Sequence, residues 1–482
     1  MAIDTGQLIL TLIILFDLLA LIYIIFFERR DPGNAATWIL VLVLLPFLGF
    51  FFYLLFGQRY FSHKRFALKA ESDRETLDRY IEQDKEALAQ AKATRTESEA
   101  KSIIQVMDLL LANNDAIFTD RNEVRSFVRG QDKFDALLEA IKGAKHHIHM
   151  EYFIIRNDEL ARKVIAALTE KARQGVEVRF LYDSLGNKIP PSGYHDLIAA
   201  GGKVSEFYKV LIPAITLRIN YHDHRKIAVI DGTIGFIGGF NIGEEYLGKG
   251  PLGFWRDTAV EIRGEGVRGL QFRFMLDWNY ATKENMSLGG SYFPEIQGEG
   301  DSIVQIVSGG PDSLWNPIKE EYLKLISLAE KTVYLQTPYF IPDQSVLDAL
   351  RIAALSGVDV RIMFPSKPDH PFVHWASYSY VGELLDAGVR AYTYDNGFIH
   401  AKTVTVDDVV SSIGTANWDI RSFRLNFETN AVIYDREFAK QQREIFEHDM
   451  EVSTEVTMER YKRRSLWVRF REGISRLFSP VL

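Results

Sequence analysis

Two long apolar runs open the chain. Residues 7–27 are almost continuously apolar, with Thr11 and Asp17 as interruptions, and residues 35–56 form a second run. Each has roughly 20 residues, the length a helix needs to cross a bilayer. Between them Glu28-Arg29-Arg30-Asp31-Pro32-Gly33 reads as a turn. The pattern predicts a two-helix transmembrane hairpin over 1–58, with helices at 7–27 and 35–56. A signal peptide would have a shorter apolar core and small residues at a cleavage site. Asp17 is costly at mid-membrane and is expected to face the partner helix. Residues 59–114 read as a basic, charged helical connector; from Phe66 to Asn114 they lack Gly and Pro and are rich in helix formers. An ordinary solvated surface helix fits that composition equally well.

From Asp115 the texture becomes apolar strands alternating with amphipathic helices, and it repeats. The stretch beginning at Lys145 resembles the one beginning at Lys331, Gly175–Leu181 resembles Gly357–Met363, and Leu197–Val204 resembles Leu384–Ala391. Each copy reads strand–helix–strand–helix–strand, which predicts an α/β fold with helices covering a largely parallel sheet. The copies divide the chain into repeat 1 over 115–290 and repeat 2 over 291–455, an intrachain pseudo-dimer. Residues 456–482 remain as a basic amphipathic C-terminal segment. Between Tyr461 and Phe478 it carries six Lys/Arg against one acid, with Leu466, Trp467, Phe470, Ile474, Leu477 and Phe478 interleaved. As a helix it would suit an anionic lipid surface, or it could pack on the body.

Charge narrows the reading. The net charge of −8 argues against a general nucleic-acid binder. Cysteine is absent, which excludes disulfides, thiolate catalysis and sulfur-ligated metals. Arg59, Lys64, Arg65 and Lys69 follow the second apolar run, whereas the connecting loop has only Arg29 and Arg30. The positive-inside rule therefore predicts a multi-pass membrane protein whose catalytic body is cytoplasmic.

The candidate chemistry lies where each repeat ends. His224-Arg-Lys226 leads to Asp231, then after six residues to Gly238-Gly239-Phe240-Asn241; His400-Ala-Lys402 leads to Asp407, then after six residues to Gly414-Thr415-Ala416-Asn417. Residues two apart share one face of a strand, so His and Lys point together. Asp231-Gly232 and Asp407-Asp408 suit hairpin turns, and a return strand would deliver Asn241 and Asn417 to the same place. Two Lys and two Asn suit the non-bridging oxygens of a phosphodiester. Two His can divide the labour, one attacking phosphorus and the other moving protons. The scheme requires no metal and no cofactor. Each copy also supplies a downstream carboxylate to orient its histidine, Asp257 in the first and Glu428 in the second. Glu244 and Glu245 are nearer the first motif but have no counterpart in the second copy. Asp231 and Asp407 complete the motifs as candidate catalytic residues, although their place suits fixing the turns. His222 is expected to support His224. His146, His147 and His149 enter a strand without a matching carboxylate set, and Tyr152 and Tyr339 occupy corresponding places.

These motifs resemble the phospholipase D superfamily, whose hallmark is a duplicated His-x-Lys-x4-Asp followed by a Gly/Ser/Thr–Asn element. The resemblance spans about 115–455 and narrows to bacterial cardiolipin synthases through the apolar hairpin, Glu28–Pro32, Gly238–Tyr246 and Ser479–Leu482. It implies a bacterial plasma-membrane enzyme that condenses two phosphatidylglycerols into cardiolipin and glycerol through a phosphohistidine. Its partners would be phosphatidylglycerol and anionic membrane lipid, with no nucleic acid. A phospholipase D-type hydrolase, or a phosphatidyltransferase with another donor or acceptor, remains as an alternative. The family usually places the nucleophile in the first copy, His224, although the near-symmetry of the copies leaves either histidine open. Gly239 and Thr415 stand where the family has small residues that contact phosphate. Gly239 lacks a hydroxyl, so any such contact there would come from its backbone.

Overall fold

The computed structural model describes residues 5–26, 32–46, 48–53, 69, 101–208, 221–286, 289–296 and 298–479. Most of the connector and the basic cluster after the second apolar run, Lys69 excepted, lie outside the described residues. The chain divides into two units, residues 1–72 with 210–220, and residues 73–209 with 221–482.

In the first unit, α1 (Thr5–Phe26), α2 (Pro32–Leu44) and α3 (Leu48–Phe52) occupy the apolar runs. Ala20 and Ile24 of α1 are buried with Leu42 and Tyr53, and Asp17 is also buried. The second run, expected as one helix over 35–56, is instead divided. Pro46 has no N–H to donate and its ring crowds the preceding turn, so α2 stops at Leu44 and α3 starts beyond the proline. The 13 residues of α2 rise about 20 Å. The side chains of α1 are described from Thr11 onward, Ile13 apart, and among the described residues no helix is long and apolar enough to cross a membrane.

The second unit is built on one sheet of 15 strands. In repeat 1 the strands are β1 (Phe118–Phe127), β2 (His147–Tyr152), β3 (Glu177–Tyr182), β4 (Lys203–Glu206), β5 (Lys226–Ile230), β6 (Ile234–Gly238), the short β7 (Trp255–Arg256) and β8 (Ala259–Arg263). Repeat 2 supplies β9 (Ser302–Gly309), β10 (Thr332–Gln336), β11 (Phe340–Ile341), β12 (Asp359–Pro365), β13 (Arg390–Tyr394), β14 (Phe398–Ile399), β15 (Thr403–Val406), β16 (Val410–Gly414), β17 (Trp418–Asp419), β18 (Glu428–Tyr434) and β19 (Ser453–Glu455). The order is β4-β3-β2-β5-β6-β8-β1 and then, mirrored, β9-β18-β16-β15-β10-β12-β13-β19. The two halves meet at the antiparallel β1–β9 pair. This is the pseudo-dimer that the repeats predict.

The sheet is not largely parallel. Only β2-β3-β4 and β10-β12-β13 run parallel. The remaining pairs in the sheet are antiparallel, because each His-x-Lys strand returns through a hairpin and brings further strands back beside it. Helices cover the sheet. Asp158, Asp343 and Asp435 cap three of them by accepting the N–H of Ala161, Val346 and Phe438.

The end of the charged connector is a core element. α4 (Lys101–Asn114) buries Val106, Met107 and Leu110 in the repeat 2 core. Asn114 clamps Ser308 of β9 at both ends of its amide, by 2.7 and 2.8 Å hydrogen bonds. The helix therefore belongs to the catalytic unit although its composition reads as a solvated linker. Leu110→Ala should lower stability by about 2–5 kcal/mol, read as a fall in the unfolding midpoint of the detergent-solubilised protein. A surface helix would show almost no change.

Candidate active site

The two hairpins form as expected. Asp231 and Gly232 have φ of 54° and 67°, and Asp407 and Asp408 both have φ of 54°. Thr233 and Val409 donate back to Ile230 and Val406, closing both turns. Both aspartates clamp neighbouring backbone. Asp231 accepts the N–H groups of Lys145, His146 and His147 at 2.7–3.0 Å. Asp407 accepts those of Glu330, Lys331 and Thr332 at 2.7–2.8 Å. These contacts are the turn-fixing place that the sequence reading gave Asp231 and Asp407 beside their candidacy as catalytic residues: each ties its turn to the start of the neighbouring strand, at the end of the hairpin strand remote from His and Lys.

Each histidine lies just before its hairpin strand, where the chain crosses to the other repeat. His224 donates its N–H to the Phe427 carbonyl at 2.9 Å, and Phe427 donates to His222 at 2.8 Å. On the opposite side β14 pairs with β7, and His400 donates to the Arg256 carbonyl at 2.7 Å. Phe427 precedes Glu428 and Arg256 precedes Asp257, so the carboxylates are exchanged. Nδ1 of His224 lies 2.8 Å from Glu428 Oε2, and Nδ1 of His400 lies 2.6 Å from Asp257 Oδ2. The sequence assigned Asp257 to the first motif and Glu428 to the second; folding makes both pairs between repeats. In each pair Nδ1 is engaged with the carboxylate, so Nε2 is the ring nitrogen that these contacts leave over.

The small residues after the hairpins support these carboxylates. A Cβ on Gly239 would collide with Asp257 Oδ1, and the Gly239 N–H is already given to the Thr258 carbonyl at 2.9 Å. At the equivalent place the Thr415 hydroxyl donates to Glu428 Oε2 at 2.6 Å, and its N–H to the Thr429 carbonyl at 3.0 Å. Neither group is free for phosphate, as the family pattern had implied. Gly239 makes room for one carboxylate, and Thr415 bonds the other.

Lys226 and Lys402 turn back to bond the carbonyls of His224 and His400, and Lys402 Nζ also lies 3.0 Å from His400 Nδ1. Asn241 spans Ile154 N–H at 3.1 Å and the Tyr246 hydroxyl at 2.9 Å. The buried Asn417 donates its N–H to Ser422 Oγ and keeps Oδ1 without a hydrogen-bond partner. Burial dominates the electrostatics. It pushes Lys226 down to about 7 and Lys402 to about 8, and raises Glu428 to about 7. His224 is driven well below the ordinary histidine value by burial and then by Lys226, Lys402 and His400. His400 is lowered by burial and Lys402, while Asp257 opposes the shift. The site is thus a buried cluster of two lysines, two histidines and two carboxylates with His224 held neutral.

Several participants were not legible as such. Tyr246 links Asn241 to His400, its hydroxyl 3.4 Å from Nδ1, but its sequence position has no motif logic. Phe153 packs edge-on to His224 with centroids 4.8 Å apart. Arg225, between the motif residues, points to the opposite face and bonds Asp277 at 2.8 Å and Thr429 at 2.9 Å; its counterpart in the second copy is Ala401. The alternation of the strand could have signalled that reversal. His222 stands 3.6 Å from Asp183 and packs on Phe153, a supporting place. His147 and His149 share Gln271. Tyr152 accepts a hydrogen bond from Lys133, and Tyr339 donates to Asp369. Replacing Gly239 by Ala should displace Asp257 and lower turnover by about 10²-fold, with loss of the His400 Nδ1–H proton resonance as the structural readout. An unchanged resonance would refute the crowding argument.

Residues 137–250 and 322–450 match the family described as cardiolipin synthase, PLD-like domain. Residues 15–58 match the phospholipase D-nuclease N-terminal family. The chain is 47% identical over 471 residues to a cardiolipin synthase of Staphylococcus aureus, covering 97% of this chain and 95% of that one. It is also 47% identical over 485 residues to the major cardiolipin synthase ClsA of Bacillus subtilis, covering 99% of each. A solved phosphatidylserine synthase of Haemophilus influenzae shares the fold, with a TM-score of 0.60 at 14% identity over 78% of this chain and 100% of that one. With paired His-x-Lys hairpins on a duplicated sheet and near-complete coverage by these relatives, the chain belongs to the cardiolipin synthase family of the phospholipase D superfamily.

Proposed function

We propose that this chain transfers a phosphatidyl group from one phosphatidylglycerol to another, giving cardiolipin and glycerol. The observation that carries the reading is the crossed pair of Nδ1–carboxylate contacts, in a cluster that also buries Lys226 and Lys402. Relatives 47% identical over nearly the whole chain are named cardiolipin synthases, and that supplies the substrate class.

In the first half-reaction, His224 Nε2 attacks phosphorus of the donor lipid. The bond from phosphorus to the glycerol headgroup breaks, and His400 gives its proton to the departing glycerol oxygen. The intermediate is a phosphatidyl group on His224. In the second, His400 takes the proton from the terminal hydroxyl of another phosphatidylglycerol. That oxygen attacks phosphorus, and His224 leaves. Phosphodiesters are made and broken alike, so the step is near-balanced and burial must keep water out. The roles follow from the electrostatics. The nucleophile must be neutral, and His224 is the more strongly depressed; Glu428, itself raised to about 7, is a weak support for an imidazolium there. Asp257 favours the proton on His400. Lys226, Lys402 and Asn417 would hold the non-bridging oxygens. The apolar runs at 7–27 and 35–56 would tether the site to the bacterial plasma membrane, with the catalytic unit on the cytoplasmic side.

Reconstitution with labelled phosphatidylglycerol, followed by mass spectrometry, tests the reaction. Cardiolipin with one glycerol released per turnover is expected; phosphatidic acid as the main product would overturn it. Denaturing quench at alkaline pH should trap labelled lipid phosphate on the wild type and on His400→Ala, which retains the nucleophile but reacts slowly. Label retained on His224→Ala would reverse the roles. The pH dependence has a definite sign. Raising pH through 7–8 removes charge from Lys226 and Lys402, so kcat/KM should fall between about pH 7 and 9, as that parameter reports the free enzyme. A profile flat to pH 10 would contradict the assigned role of the lysines.

A further inference from the structure

The C-terminal segment turns its apolar residues away from the body it packs on. α5 (Met458–Lys462) leads to α6 (Leu466–Leu477), whose start is capped by Ser465 accepting the Val468 N–H. α6 lies along the helix Pro371–Leu385 of repeat 2. The side it buries is polar: Glu472 and Ser475 are 3% and 1% exposed. Arg464 bonds both Glu472 oxygens at 2.8 and 2.9 Å, and Arg476 pairs with Glu383. Gly382 lets the Tyr461 ring settle on the supporting helix, since a Cβ there would collide with that ring. The apolar side faces out, with Leu466 81%, Trp467 58%, Phe470 56% and Leu477 76% exposed. A helix whose only partner was the body would bury these residues first.

Cations frame that stripe. The Arg471 guanidinium sits 5.0 Å from the Trp467 ring centroid, and Trp467 stacks on Phe470 at 5.4 Å. Lys462, Arg464, Arg469 and Arg476 line a surface cavity of about 600 Å³ together with Glu383, Asp386 and Glu472; Arg464 and Arg476 are paired within it, which leaves Lys462 and Arg469 as the cations there that form no ion pair among the described residues. That cavity shares no residue with the His-x-Lys cluster. A second copy of this chain fits poorly, because a two-fold contact would press six cations and one acid against the same set.

Building on the reading that this chain acts on membrane lipid, we infer that the α5–α6 face docks the catalytic unit onto an anionic bilayer. Trp467, Phe470, Leu466 and Leu477 enter the boundary between headgroups and acyl chains, and Lys462 and Arg469 take lipid phosphate at the rim. This contact is additional to the N-terminal tether, and it makes the approach of the catalytic unit to the membrane depend on surface charge.

The absence of cysteine allows a direct test on the full chain. Phe470→Cys carries a nitroxide, and Leu355→Cys, on an exposed helix face elsewhere, is the control. Each is reconstituted in phosphatidylglycerol-rich and in pure phosphatidylcholine vesicles. The ratio of oxygen to water-soluble relaxant accessibility at 470 should rise at least about fivefold in the anionic vesicles alone and stay unchanged at 355. Arg469→Glu with Arg471→Glu should abolish the rise. A label at 470 that stays aqueous in anionic vesicles overturns the proposal. So does dipolar broadening between labels, which would place a second copy on the face. The readout needs no turnover, so lipid contact without cardiolipin formation would sink the proposed reaction and leave the docking surface standing.

Discussion

The exchange of strand segments between the two repeats is the constraint on which the rest of this site depends. Phe427 pairs with the backbone around His222 and His224, and Arg256 with the backbone at His400. These short contacts fix where each histidine begins its hairpin and, one residue further along, where the other repeat's carboxylate must stand. Neither half can assemble a complete His–carboxylate pair alone. The β1–β9 junction and the buried Arg225, which reaches from repeat 1 to Asp277 and Thr429, hold the halves at the spacing the exchange needs.

That arrangement concentrates charge where water is scarce. Two lysines, two histidines and two carboxylates are all buried. Each ionised group is costly unless a neighbour compensates it. The result is a set of depressed lysines, depressed histidines and a raised Glu428. In the proposed reaction a phosphodiester anion entering the cluster would favour the charged form of both lysines, so that binding and their recharging become one event. The small differences between the copies then matter. Glu428 is bonded by Thr415, whereas Asp257 occupies the space that Gly239 leaves open. The histidines also differ: burial and then Lys226 and Lys402 lower His224, whereas at His400 Asp257 opposes the lowering by burial and Lys402.

Much of this was legible because duplication marks it. The two hairpins, their turns and the His, Lys and Asn positions follow from a shared spacing and from the two-residue period of strands. What failed did so for local reasons. Pro46 divides an apolar run whose hydropathy alone reads as continuous. Val106, Met107 and Leu110 sit in a charged stretch whose average hides one buried face. Gly239 and Thr415 look like phosphate contacts because they are small and follow the hairpin, yet their backbone and side-chain groups are already used.

The sequence by itself determined the chemistry available: which residue types recur, at what spacing, and on which kind of strand. Those are local properties, set by the alternation of side chains and by turn conformations that Asp and Gly tolerate. Only the tertiary structure decided the partnerships. Asp257 serves His400 and Glu428 serves His224 because strands more than 140 residues apart in the chain meet edge to edge. Within one copy, the reading that kept each carboxylate with its own histidine was equally consistent with the spacing. Which face of the last helix meets the body was decided in the same way: Glu472 is buried there against Arg464, and Trp467 and Phe470 are left facing out.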